Sequence, residues 1–236
     1  MEITPDQIVY WRAGPIALNA TLVWTWVTMV LMAVGCWLVT RRLSSGPPTS
    51  RAQNFLEVLI AYMRQQIREI SQDEPDRYLV FVGSLFLFIA ASTVLGMVPG
   101  YRPPIGSLST TAALAICVFV AVPVYGISRQ GVRKYLKHFV QPNPIMLPFN
   151  VIGELSRTLA LAVRLFGNVM SGSLIVAILI GLVPLFFPIV MQAFGLLIGM
   201  IQAYIFAVLA MVYIASGARV SKQTPEADSP HSTEGA

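Results

Sequence analysis

The sequence predicts an all-α polytopic membrane protein, with five membrane-crossing helices that include a long tilted C-terminal hairpin, plus one amphipathic surface helix. Three observations carry this. Of 236 residues, 56% are hydrophobic and 11% charged, and the mean hydropathy of +0.69 does not suit a soluble domain of this length. Five apolar stretches reach the ~20 residues that a ~30 Å hydrocarbon core requires of a helix. The 16 lysines and arginines gather largely in short runs between those stretches, so the net charge of +5 orients a membrane protein rather than attracting nucleic acid.

The amino terminus, MEITPDQIVYWRAG, lacks the basic region of a cleavable signal, so the first apolar span is expected to stay as a signal anchor. Residues 1–17 precede that span, which runs from Leu18 to Val39, carries Trp24, Trp26 and Trp37, and is stopped by Arg41 and Arg42. Cys36 and Cys117 lie inside apolar segments without CxxC spacing or nearby histidines, which reads as small buried hydrophobes rather than a disulfide or metal site. After the SSGPPTS break, residues 51–72 change to a 3.6-residue period. Leu56, Leu59, Ile60, Met63, Ile67 and Ile70 share one face, while Glu57, Arg64, Gln65, Arg68 and Glu69 lie off it. That pattern predicts a helix lying along the cytoplasmic membrane surface, with docking on a soluble partner as the alternative. Asp73, Glu74 and Asp76 end it.

Tyr78 to Val98 forms the second span, and Pro99-Gly100 with YRPPIG turns the chain into a third, Ser107 to Ile127, which Pro123 is expected to kink. A basic loop follows with Arg129, Arg133, Lys134, Lys137 and His138, the histidine reading as solvated. QPNPIMLPFN leads into the central segment, 150–181, and Pro184 and Pro188 separate this from the last, 190–218, making a helical hairpin. A helix over 150–181 is about 48 Å long at 1.5 Å per residue, well over the ~30 Å core, so it tilts or protrudes. Lysine and arginine counts by loop are one, six, one, four, none and two. The positive-inside rule then places the amino terminus outside, the carboxyl tail in the cytoplasm and five crossings between. The single membrane domain spans 18–218, and the polar tail, 219–236, is expected to be disordered.

The central segment holds the costly residue. An arginine at the middle of a membrane helix costs at least ~2.5 to 3.5 kcal/mol, so Arg164 marks a functional site with a partner. Between Arg77 and Arg219 the only acid is Glu154, ten residues away and ~15 Å along the axis. The facing carboxylate is therefore expected on another subunit. Asn150, Arg157, Arg164, Asn168 and Ser171 fall within ~40° of one direction at 100° per residue, a polar stripe inside a membrane. In the last segment Gln192, Gly195, Gly199 and Gln202 recur on one side, the glycines allowing close approach to the first long helix. Arg157 reads equally as a snorkelling residue. Glu154 reads as a helix-start acid favoured by the dipole or as a proton or cation acceptor. Gln192 and Gln202 read as interhelical glue or as the lining of a hydrated path.

The run LAVRLFGNVMSG resembles the arginine-helix signature of the F-type ATP synthase a subunit, and IQAYIFAVLAMVYI resembles that family's last helix. QNFLEVL, GSLFLFIAASTVLGMVPG and PNPIMLPFNVIGELSR extend the likeness, in family order, over most of Gln53 to Ile214. The resemblance implies a bacterial inner-membrane stator beside a rotating ring of c subunits, held with the b-subunit peripheral stalk. Two offset aqueous half-channels would carry ions, H⁺ first and Na⁺ as the other option, to and from the ring carboxylates. It implies that Arg164 is the essential arginine facing the ring, with Asn168 and Gln202 near it. The chain departs from the family at Ser173, where many members have glutamate, at Gly195, where some have histidine, and at Thr158, in place of a proline. The outward half-channel is then expected to rely on water and on Ser171, Ser173, Gln192 and Gln202. No GxxxxGK[ST] run occurs, so ATP chemistry belongs to partner chains, and no cofactor is expected. A secondary transporter for an anionic substrate and a non-conducting assembly scaffold are the competing readings. A transporter of this kind would carry inverted repeats, which the halves do not show.

Overall fold

The computed structural model describes residues 9–13, 16–41, 51–71, 75–98, 100–132, 146–182 and 187–219. A short antiparallel ribbon of β1 (Val9–Ala13) and β2 (Ile16–Asn19) opens it. Among the described residues six long helices follow: α1 (Ala20–Thr40), α2 (Arg51–Ser71), α3 (Asp76–Leu95), α4 (Leu108–Gln130), α5 (Met146–Leu182) and α6 (Phe187–Arg219). All but α2 are long and apolar enough to cross a bilayer. The domain is helical as expected, and the ribbon is an addition that hydropathy does not signal. It also moves the start of the first span from Leu18 to Ala20.

Core packing follows from small and apolar residues at helical spacing. In α6 the stripe Ala203, Phe206, Ala207, Ala210, Met211, Ile214 and Ala215 is buried, recurring every three or four residues, so one face enters the core. It meets α3 and α4 across Val82, Phe86, Ile89, Val118 and Val122, and α5 across Leu161 and Leu165. Gly217 brings α6 against α4, where an added Cβ would stand 3.0 Å from Val122. Gly199 does the same against Thr93 of α3, whose Oγ1 would be 3.0 Å away. This corrects the expectation that the α6 glycines face the first long helix: Gly199 meets α3, and Gly195 has open space within 4 Å. The glycine spacing is right for close approach, but α3 holds the best-packed side of α6.

The amphipathic α2 lays Leu59, Met63, Ile67 and Ile70 onto this core, against α3 and α6. Arg64 pairs with Asp76 at 2.7 Å at the α2–α3 corner, so Asp76 opens α3 rather than closing α2. Between α2, α3 and α6 a cavity of about 130 Å³ is lined by Tyr62, Met63, Phe86, Met200, Tyr204 and Met211 among others. Helix α4 is capped at its start by Ser107, whose hydroxyl accepts from Ser109 N at 3.2 Å. It runs as helix through Pro123 and stops at Gly131, whose φ of 80° suits a glycine at a helix end. Helices α5 and α6, with 37 and 33 residues, would extend about 55 and 50 Å at 1.5 Å per residue, so both exceed the bilayer core. The basic loop around His138 and the tail beyond Arg219 lie outside the described residues.

Candidate functional site

Among its described residues, helix α5 buries a narrow stripe, Thr158, Leu161, Ala162 and Leu165. Arg164 lies about 100° from Leu165 at the helical repeat, on the edge of the exposed face. It is exposed, and it makes no ion pair or hydrogen bond among the described residues. Arg157, Asn168 and Ser171 share its direction at the helical repeat and are exposed too, so the cation stands on a polar stripe of an otherwise apolar helix, with no counter-charge paired to it among the described residues. The chain can hold a guanidinium there only if a partner or water answers it.

One turn further on, Asn168 crosses to α6. Its Nδ2 donates to Gln202 Oε1 at 2.8 Å, and Gln202 is 3% exposed. Gln202 Nε2 is buried with no partner. One half of the carboxamide therefore ties the two long helices together, while the other half is a desolvated donor awaiting an acceptor.

The remaining sequence-derived candidates spread along the hairpin. Ser171 donates to the Asn168 carbonyl at 3.2 Å and Ser173 to the Met170 carbonyl at 2.8 Å, so both hydroxyls are used on their own helix, and both residues are exposed. Gln192 is exposed near the start of α6. Glu154 is half-buried, and its carboxylate meets Arg157 at 3.8 Å. Arg157 in turn sits over the Tyr213 ring, 5.8 Å from its centroid, a cation–π geometry that fixes the guanidinium near the α6 C-terminal end. Thr158, where the family usually has proline, donates to the Glu154 carbonyl at 3.0 Å. Of the stripe, then, the structure joins Asn168 to Gln202 and Glu154 to Arg157, and leaves Arg164 between the two pairs. The side chain of Asn150 lies outside the described residues. Tyr213 and Thr158 were missed as neighbours of Arg157 and Glu154. An aromatic on the last helix near a basic residue of its hairpin partner would have been the signal for the first.

Comparison with known proteins places the whole chain in a family. The profile of the family described as "ATP synthase A chain" matches residues 22–215. The "ATP synthase subunit a 2" of Acaryochloris marina is 58% identical over 229 residues, 97% of this chain and 98% of that one. The "ATP synthase subunit a" of Albidiferax ferrireducens is 55% identical over 98% of this chain and 100% of that one. The "ATP synthase subunit a 1" of Chlorobaculum parvum is 53% identical, covering 95% and 99%.

Proposed function

This chain belongs to the ATP synthase A chain family, and from that premise we propose that Arg164, Asn168 and Gln202 form the centre past which ions move to and from a ring of c subunits. The chain is the ion-channel stator subunit of the F-type ATP synthase, a multi-pass membrane component that couples ion flow to ATP synthesis or hydrolysis. The secondary-transporter reading is not favoured. The c-ring and the b-subunit stalk are the partners this assignment requires.

One observation supports it above the rest: Arg164 is exposed in the middle of a long apolar helix and makes no ion pair or hydrogen bond among the described residues, one turn from the amide pair that locks α5 to α6. A carboxylic acid carried past that guanidinium has its ionised form favoured, so it releases its ion there. The same positive charge repels a cation crossing alone, which prevents leakage between the two approaches. The Asn168–Gln202 bond holds both long helices at this level, so the charge is presented on a fixed surface. Glu154, toward the start of α5, serves the cytoplasmic approach, while Ser171, Ser173 and Gln192 supply polar positions on the opposite approach. With the amino terminus outside the bacterial inner membrane and the carboxyl tail in the cytoplasm, each charge crossing 100 mV delivers ~2.3 kcal/mol to rotation.

The test is ATP-driven pumping by vesicles holding the whole complex, comparing wild type with Arg164→Ala in Na⁺-free buffer and with added Na⁺. The variant complex is expected to assemble and to lose pumping by at least a hundredfold, and the wild-type response to Na⁺ identifies the ion. Normal pumping by Arg164→Ala would overturn the assignment.

A further inference from the structure

The seating of α2 on α3 and α6 leaves a space that no side chain of these helices fills. The cavity of about 130 Å³ between them has an almost wholly apolar wall. Its floor belongs to the core, for Ile67, Val82 and Ala207 are each 2% exposed and Met211 1%. Its rim is accessible, with Tyr62 50% exposed and Met200 and Tyr204 37% each. The space is therefore a blind pocket with a mouth on the α2–α6 seam, not a sealed void.

Its chemistry selects the occupant. The polar side chains that line it, Tyr62, Gln66 and Tyr204, stand together at the seam. There the Tyr204 hydroxyl donates to Gln66 Oε1 at 3.1 Å, and the two tyrosine rings lie 6.2 Å apart. No polar side chain lines the floor, and a buried water needs about two to four polar partners, so water is not what the pocket holds. Left empty, it forfeits the dispersion contacts of its whole wall. Its volume is close to the ~150 Å³ of an engineered apolar cavity that takes up benzene, which is room for about six carbon atoms. Met63, Met200 and Met211 supply three unbranched side chains that mould to a flexible occupant. Outside the mouth the surface is apolar as well. Leu197 and Ile201, each one turn before a rim residue of α6, are 55% and 51% exposed, and in a membrane protein such a surface brings lipid tails to the opening.

We propose that this pocket is a lipid site: the terminal carbons of one phospholipid acyl chain enter between Tyr62, Met200 and Tyr204 and end against Phe86 and Met211, as a wedge between α2 and the α3–α6 pair. A whole helix of a neighbouring subunit, at least ~10 Å across with its side chains, is too wide for the space, whereas a single hydrocarbon chain fits it. The site concerns how α2 is seated and does not depend on the ion route past Arg164.

The experiment uses the whole complex in proteoliposomes containing phosphatidylcholine with an aliphatic diazirine at the end of one acyl chain. After irradiation, adducts on this subunit are mapped to residues by mass spectrometry. Val30 of α1 and Val120 of α4, both exposed, report contact with bulk lipid. Phe86 and Met211 are buried, so only a chain inside the pocket labels them. The expected result is adducts at Phe86 or Met211 that fall at least fivefold in Ala207→Leu, which fills the pocket, while labelling of Val30 and Val120 is unchanged. Adducts confined to exposed positions, the pattern of an empty pocket or of one plugged by a partner's side chain, would overturn the lipid site. Adducts at Phe86 or Met211 that persist undiminished in Ala207→Leu would overturn it too. Should Ala207→Leu fail to assemble, Met200→Trp, which narrows the mouth, decides between the same outcomes.

Discussion

Gln202 does two jobs with one carboxamide, and substitution separates them. Gln202→Leu keeps the volume, removes the acceptor of Asn168 and removes the unpartnered Nε2. An interhelical hydrogen bond of this kind is worth ~0.6 kcal/mol on average in membrane proteins, and deleting a buried unsatisfied donor offsets part of that. Thermal stability of the Gln202→Leu complex should therefore stay within about 1 kcal/mol of wild type, while ATP-driven pumping falls at least tenfold. Equal loss in both measurements would make the residue structural. Arg164, Asn168 and Gln202 were legible in the sequence because polar groups in a long apolar run are conspicuous. The link between Asn168 and Gln202 was half legible, since helical periodicity gives each residue a face but not the rotation of one helix against the other.

Among the elements, α3 and α6 make the closest fit, and glycine decides it. A Cβ at Gly199 would overlap the Thr93 side chain, whereas one at Gly195 meets open space. Gly199→Ala should destabilise the assembled subunit by about 1 to 3 kcal/mol, the usual cost of overpacking, and Gly195→Ala should be silent. Adding Thr93→Ala to Gly199→Ala should recover most of the loss, a non-additivity expected only of residues in contact. Thermal unfolding of Gly199→Ala, Gly195→Ala, Thr93→Ala and the double variant in detergent checks the set, and a silent Gly199→Ala would refute the contact. The helices themselves were readable from hydropathy and from the 3.6-residue stripe of α2. The seating of α2 on α3 and α6 was not, because an amphipathic stripe states that a face is covered without naming the cover. The ribbon of Val9–Ala13 and Ile16–Asn19 was hidden for a related reason: two strands of four or five residues leave no periodic signature strong enough to separate them from a loop.

For the whole molecule, the distribution of positive charge predicts orientation. A Ser232→Cys variant should react with an impermeant thiol reagent in inverted vesicles and not in intact cells, and the reverse would invert the topology. The α3–α4 turn bears on a different property. Gly106 packs near Val169 of α5, with 3.4 Å between an added Cβ and the valine, and Val169 is only about 7.5 Å along the axis from Arg164 at 1.5 Å per residue. Were water to reach that turn from one side and the level of Arg164 from the other, the dry layer separating the two solutions would be much thinner than the ~30 Å of the surrounding lipid. A fixed voltage across a thinner insulator is a stronger field, and halving the thickness doubles it. The subunit would then act as an electrical lens, and a charge displaced by a few ångströms beside Arg164 would fall through most of the membrane potential.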